Sequence, residues 1–340
     1  MAGKKYGLDL GTNSLRIFRP GQGIIADEHN MIALRRKKEI TALGNDAYDM
    51  FERTLPTIQV IRPVRDGVIA DIQNLNRITE GLLRKNAAQR GGMSGNTFYI
   101  AAPSDVTEVE KRAYFDLIAH SAFNTRNIFI TEKPIACAIG ARMNIKANRG
   151  MMIVDMGAGS TEISVITLGG IVSTRLMRMG GNTINDAIIR AVAEQHQLAI
   201  GYKTAEYLKT ELGQAIPGNR RVMKAYGLDK ISGMPSSCDV SGVLVYEAMK
   251  PYLTAVFRQI VSMIETLPHE LAEDVRQDGI YFAGGGAALA EFDKLIRAVL
   301  KIRPMIPENP AICVAKGLGT MIEDPNDYRR SIISLKDAAI

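Results

Sequence analysis

The sequence predicts an α/β protein of two similar lobes facing each other across a cleft. Three observations lead there. The chain of 340 residues is longer than one core ordinarily organises. One strand–turn–strand unit occurs twice, starting near Tyr6 and again near Met151. Each copy is followed by segments of three- and four-residue apolar spacing alternating with short apolar runs, the pattern of helices laid on mixed sheets.

In the first copy Tyr6 to Leu10 reads as a strand and Gly11-Thr12-Asn13 as a tight turn. Leu15 to Phe18 is a second strand, Pro20 to Gly23 another turn, and Ile24-Ile25 opens a third strand. In the second copy the strands are Met151 to Asp155, Glu162 to Leu168 and Ile171 to Met177, with turns at Gly157 to Ser160 and Gly169-Gly170. Helical spacing covers Ile72 to Ala88 and Glu108 to Ala122, the latter with Ser104 or Asp105 as its cap. In the second half it covers Thr183 to Gln195, Thr204 to Leu212 and Leu244 to Leu267. Thr97 to Ala101, Ile128 to Ile130 and Gly279 to Ala283 read as short buried strands, and Arg220 to Asp239 as an irregular or hairpin insertion. No low-complexity linker separates the halves, so the lobes are expected to pack closely and hinge across the cleft.

Composition narrows the class. At 46% hydrophobic and 23% charged the chain is ordinary globular material. No stretch approaches the roughly 18 consecutive apolar residues of a membrane span, and Met1 to Lys5 is basic with no apolar region behind it, which argues against a secretory signal. Cys137, Cys238 and Cys313 are scattered without a CxxC pair, which fits reduced thiols in a cytoplasm. The net charge of +6 suits a mildly cationic surface or attraction to an anionic one. The basic clusters Arg35-Arg36-Lys37-Lys38 and Arg329-Arg330 are short and lack interleaved aromatics, and there is no Trp, so no nucleic acid partner is predicted.

A triphosphate with Mg2+ needs close backbone N–H groups, small residues that allow that approach, and carboxylates for the metal's waters. Asp9-Leu-Gly-Thr12 offers all three: Gly11 for approach, Thr12 with Asn13 and Ser14 for phosphate oxygens, and Asp9 for a metal-bound water. Asp155-Met-Gly-Ala-Gly-Ser-Thr161 repeats the device through Gly157, Ala158, Gly159, Ser160 and Thr161, with Asp155 as the second metal carboxylate. A single such turn is equally well a hairpin with a capping aspartate; two copies in a duplicated unit favour phosphate. Ala283-Gly-Gly-Gly286 leads from a strand toward the helix around Leu289 to Leu300, a second place for close approach by a ribose or phosphate. Glu206 and Lys209 share a helix face, where solvated charge is the default reading.

These residues resemble the superfamily of actin, sugar-kinase and heat-shock-chaperone ATPases, and within it the bacterial actins MreB and Mbl. Gly7 to Thr12 is similar to the family's first phosphate loop, and Ile61-Arg-Pro-Val-Arg-Asp-Gly-Val-Ile-Ala-Asp71 is a specific MreB-like stretch. Asp155 to Glu162 resembles the second loop, usually D-I-G-G-G-T-T-E. Gly180-Gly-Asn182 with Asp186, and Ile200 to Glu206, continue the likeness.

The resemblance implies an actin-like fold of two ribonuclease-H-like lobes. The first spans 1–145, with a small subdomain at about 31–75, and is completed by 312–340; the second spans 146–311, with a small subdomain at about 182–244. It implies ATP and Mg2+, with Gly181, Asn182, Glu206, Lys209, Thr210, Gly284, Gly285, Gly286 and Ala287 also binding the nucleotide, Glu206 and Lys209 beside the adenine and ribose. It also implies head-to-tail filaments paired as antiparallel doublets, a cytoplasmic protein peripheral to the inner face of the cell membrane, and cell-wall synthesis proteins as partners.

The departures from the pattern bear on turnover. MreB proteins read E-E-P-x-A-A-A-I-G, with the second glutamate acting on the attacking water. Here Thr131-Glu-Lys-Pro134 places Glu132 and Lys133 at those positions. A protonated lysine cannot accept a hydrogen bond from water, so slow or absent hydrolysis is expected, with Glu132, Lys133 and Asp155 as the catalytic candidates. Asn13-Ser14-Leu15 replaces A-N-T, Ala158 replaces a glycine, and Asn182 replaces an acid. For membrane attachment the candidate is Arg90-Gly-Gly-Met-Ser94, with Met93 at its tip. Two other readings stay open: a degenerate paralogue serving as an ATP-sensing scaffold or filament modulator, and a small-molecule kinase.

Overall fold

The computed structural model describes residues 3–86, 94–331 and 333–334. A six-stranded mixed sheet runs in space through Ile333–Ser334, Asn124–Glu132, Ser94–Ala102, Lys5–Leu10, Ser14–Arg19 and Gly23–His29. A five-stranded sheet runs through Gly170–Met177, Thr161–Thr167, Met151–Met156, Ile280–Ala283 and Pro304–Met305. Both obey one plan. An antiparallel meander lies on one side of the first strand of the unit, and a parallel neighbour lies on the other. All six residues of Met151–Met156 are buried, as befits a strand covered on both faces.

Each half carries a small three-stranded sheet. In the first it is Glu39–Leu43, Ile32–Arg35 and Ile58–Ile61 with the helix Asn45–Met50; in the second it is Leu198–Ala199, Val222–Asp229 and Pro235–Ser241. The predicted insertion is thus a regular hairpin, paired from Val222 with Ser241 to Leu228 with Pro235. Its turn is pinned where Asp229 Oδ1 accepts from the Ile231 and Ser232 N–H groups at 3.1 and 2.7 Å.

A large core fills each half, a small one at Met31, Ala33 and Ala47 sits under the first small sheet, and another joins the halves. The joining core sets Phe18, Tyr99 and Ala101 of the first sheet and Ile153, Ile166 and Ala283 of the second around the helices Lys133–Gly140 and Cys313–Glu323. These helices cross in backbone contact. A methyl on Gly140 would run into the Cys313 carbonyl, and one on Gly317 into the Ala136 carbonyl.

Several predicted bounds shift. The helix Glu108–Ala119 is capped by Thr107, not by Ser104 or Asp105. Thr107 Oγ1 accepts from the Glu110 N–H at 3.2 Å, and Glu110 Oε2 accepts from the Thr107 N–H at 2.8 Å, a reciprocal capping box. The two rejected residues bond across to the second sheet: Ser104 N–H donates to Glu162 Oε1 at 2.8 Å, and Asp105 Oδ2 accepts from the Leu176 N–H at 3.1 Å. Thr107→Ala is expected to lower stability by about 1 kcal/mol, read as a shift of the urea midpoint at unchanged slope. The helix expected from Leu289 starts at Phe292, because Gly285–Ala288 forms a 3-10 turn first. Ala88 and the membrane-loop residues 90–93 lie outside the described residues.

Candidate functional site

Between the two large sheets lies a cavity of about 560 Å³, lined by both glycine turns, within the range of small-molecule pockets. The turns close identically. Gly11 N–H donates to the Ser14 carbonyl at 2.9 Å, and Gly157 N–H to the Ser160 carbonyl at 2.9 Å. Each follows a buried strand whose penultimate residue is an aspartate with a charged cross-strand neighbour: Asp9 faces Arg16, and Asp155 faces Glu162. The turns also touch. A methyl on Gly159 would run into the Thr12 hydroxyl. Gly67, from the MreB-like stretch, wedges beside them: its N–H donates to Thr12 Oγ1 at 3.2 Å, and an added Cβ would sit 2.7 Å from Ser160 Oγ.

Gly11, Thr12, Asn13, Ser14, Gly157, Ala158, Gly159, Ser160 and Gly181 line the cavity together with Glu206, Lys209, Thr210 and Gly284 to Gly286. Glu206 Oε2 is held by Lys209 Nζ at 2.8 Å and by Asn185 Nδ2 at 2.5 Å, and Lys209 also reaches the Gly181 carbonyl at 3.2 Å. Gly284 has φ 79, and an added Cβ would lie 2.6 Å from Asp155 Oδ1, so glycine is required there twice over.

Four predicted residues lie off the cavity wall. Thr161 is fully buried; its hydroxyl donates to the Met179 carbonyl at 2.9 Å and accepts from Tyr252 OH at 2.8 Å. Asn182 Oδ1 accepts from Tyr202 OH at 2.6 Å. Ala287 is packed into the second core. Glu132 ends its strand outside the cavity lining, its carboxyl raised by burial and drawn back by Lys111.

The charged centre is built from both lobes. Lys133 Nζ sits 2.6 Å from Asp155 Oδ2, and Arg16 sits 3.7 Å from Asp9 Oδ2. Both aspartates are nearly closed off, at 5% and 6% exposure. Burial pushes Asp9 up, opposed by Lys133 and Arg16. Burial alone would depress Lys133, but Asp155, Asp9 and Glu162 together raise it well above the ordinary lysine range, so it is an ammonium. Glu162 is pushed up to about 7 by burial, against Lys133 and the Ser104 N–H. At Asp155 this arrangement does not fit the expected metal role, because Lys133 already takes its Oδ2 at 2.6 Å. Arg16 lies 3.7 Å from Asp9 but pairs more closely with Asp27, at 2.9 Å.

A latch that no sequence motif signals joins the two halves of the chain. Glu52 Oε1 and Oε2 accept from the Tyr202 and Lys203 N–H groups at 2.5 and 3.1 Å, at the start of the helix Tyr202–Leu212. Arg62 lies over Tyr202 at 3.9 Å and over Phe51 at 4.7 Å. Tyr202 OH in turn accepts from Asn13 Nδ2 at 2.9 Å, tying the latch to the first turn. Arg62 and Tyr202 belong to the stretches that carry the MreB-like likeness; Glu52 gives no local signal.

Two duplicated sheets, twin turns and a glycine-edged pocket between them define an actin-like, two-lobed protein. The MreB/Mbl protein family matches residues 3–330, and the chain belongs to that family. It is 33% identical over 322 residues to the cell shape-determining protein MreB of Escherichia coli, covering 93% of this chain and 92% of that one. It is 33% identical over 329 residues to the cell shape-determining protein Mbl of Bacillus cereus, covering 95% and 97%. The crystal structure of MreB5 of Spiroplasma citri bound to AMPPNP superposes with a TM-score of 0.89 at 29% identity, covering 97% of this chain and 98% of that one.

Proposed function

We propose that this chain is an ATP-binding cytoskeletal protein that assembles head to tail into filaments, binds nucleotide firmly and turns it over slowly. The observation that carries the reading is the pair of identically closed turns facing one cavity, with an ammonium at Lys133 where the family has a glutamate. The backbone N–H groups and hydroxyls of the turns bind and orient the phosphates. Glu206, Lys209 and the Gly284 to Gly286 turn bracket the nucleoside end. Lys133 meets phosphate charge but cannot draw a proton from water. The S. citri relative was solved with AMPPNP and with ADP, which supports the same cleft taking ATP here. Mg2+, general to the family, would have to share Asp155 with Lys133.

The relatives' role in cell shape extends the proposal to filaments at the inner face of the membrane that organise cell-wall synthesis. No helix among the described residues is long and apolar enough to cross a membrane. Lys133 also favours a second reading, in which the chain is a scaffold or modulator of other filaments. Electron microscopy and sedimentation with ATP separate the two: paired filaments are expected, and monomers persisting at saturating ATP would replace the first reading with the second.

The latch governs exchange in either case. Glu52→Ala is expected to speed nucleotide release by about fivefold, the equivalent of roughly 1 kcal/mol for a carboxylate holding two N–H groups, measured by displacement of a fluorescent ATP analogue.

A further inference from the structure

We propose that Lys133 is a built-in counter-cation, holding beside Asp155 the place a divalent metal would take, so that the cleft binds metal-free ATP about as well as its metal complex. The inference rests on the reading that the cavity takes a nucleoside triphosphate.

Three features of the molecule argue for it. The first is position: Lys133 lines the cavity at 19% side-chain exposure, and its ammonium meets Asp155 from the opposite lobe at 2.6 Å. An ammonium has three donors, so the one used by Asp155 leaves two for phosphate oxygens.

The second is charge. Asp9, Asp155 and Glu162 crowd this centre, and Arg16, the other cation there, is shared with Asp27 at 2.9 Å; lysine in place of glutamate at position 133 makes the group more positive by two units. The exchange is worth two units, the charge of one divalent ion, and Coulomb energy at such short range in a closed cleft is large. Lys209, the other lysine on the wall, is already balanced by Glu206.

The third is local structure. Lys133 is the first residue of the helix Lys133–Gly140 and precedes Pro134. A helix start favours anions over cations, so the helix gives no reason for a lysine here; Asp155 does. A lysine tethered by its own backbone is always present, while Mg2+ has to be recruited and sheds its waters reluctantly.

The experiment uses the full chain and ATP binding by calorimetry, in Mg2+ and in excess EDTA. The wild-type Kd is expected to agree within about threefold between the two. Lys133→Glu is expected to bind at least tenfold more weakly in EDTA and to recover in Mg2+. Lys133→Gln, close in size and uncharged, is expected to weaken binding in both. Wild-type binding at least tenfold weaker in EDTA overturns the inference while leaving the nucleotide reading intact. Absence of binding in both buffers removes the nucleotide reading and the inference together. Circular dichroism checks that the variants fold; if Lys133→Glu does not, the wild-type comparison decides alone.

Discussion

Lys133→Glu is expected to raise phosphate release in Mg2+ buffer at least tenfold over the wild type. A carboxylate at the start of the helix Lys133–Gly140 accepts a hydrogen bond from water, and the ammonium cannot. Tenfold corresponds to about 1.4 kcal/mol of barrier, a modest share of what a positioned base supplies. The same variant should be less stable without nucleotide, by on the order of 3 kcal/mol, because Asp155 loses its cation and gains a like-charged neighbour at low exposure. Phosphate release and thermal unfolding, each with and without ATP, read the two effects separately. Equal rates for variant and wild type would show that turnover is limited elsewhere.

Gly317→Val is expected to cost on the order of 3 kcal/mol and to leave little soluble protein. The site has no room: any Cβ at Gly317 meets the Ala136 carbonyl, and the facing Gly140 is as tight against Cys313. Separating these helices opens the core that joins the lobes, with Leu318, Met321 and Ile135 all buried within it. Gly170→Ala makes the control. The nearest atom to its Cβ is the Thr167 carbonyl oxygen at 3.9 Å, and its φ is not positive. Equilibrium unfolding in urea should show a large midpoint loss for the first variant and almost none for the second.

The twin turns were legible in the sequence because all they need is local. An apolar strand, an aspartate and a glycine within a few residues are enough to specify the Gly11–Ser14 and Gly157–Ser160 closures. The hairpin at Val222–Ser241 was half legible: its glycines and Pro235 signal a break, but strand pairing on a half-exposed ribbon leaves no strong apolar alternation. Sequence alone does not choose Thr107 over Ser104 and Asp105 as the cap. All three are competent caps, and what separates them is the second sheet, which draws Ser104 and Asp105 away. The latch and the Lys133–Asp155 pair join residues far apart in the chain, so no spacing rule reaches them. Position 133 could be flagged as a departure from a family pattern, but its partner could only be seen in three dimensions.

The glycine-lined helix crossing is a rigid joint. Backbone pressed on backbone at Gly140 and Gly317 leaves these helices no room to slide past each other. The contact at Glu52 and Tyr202 is of the opposite kind, made of a few hydrogen bonds and one stacked guanidinium. The two halves are thus fused at one place and joined by separable polar contacts at another.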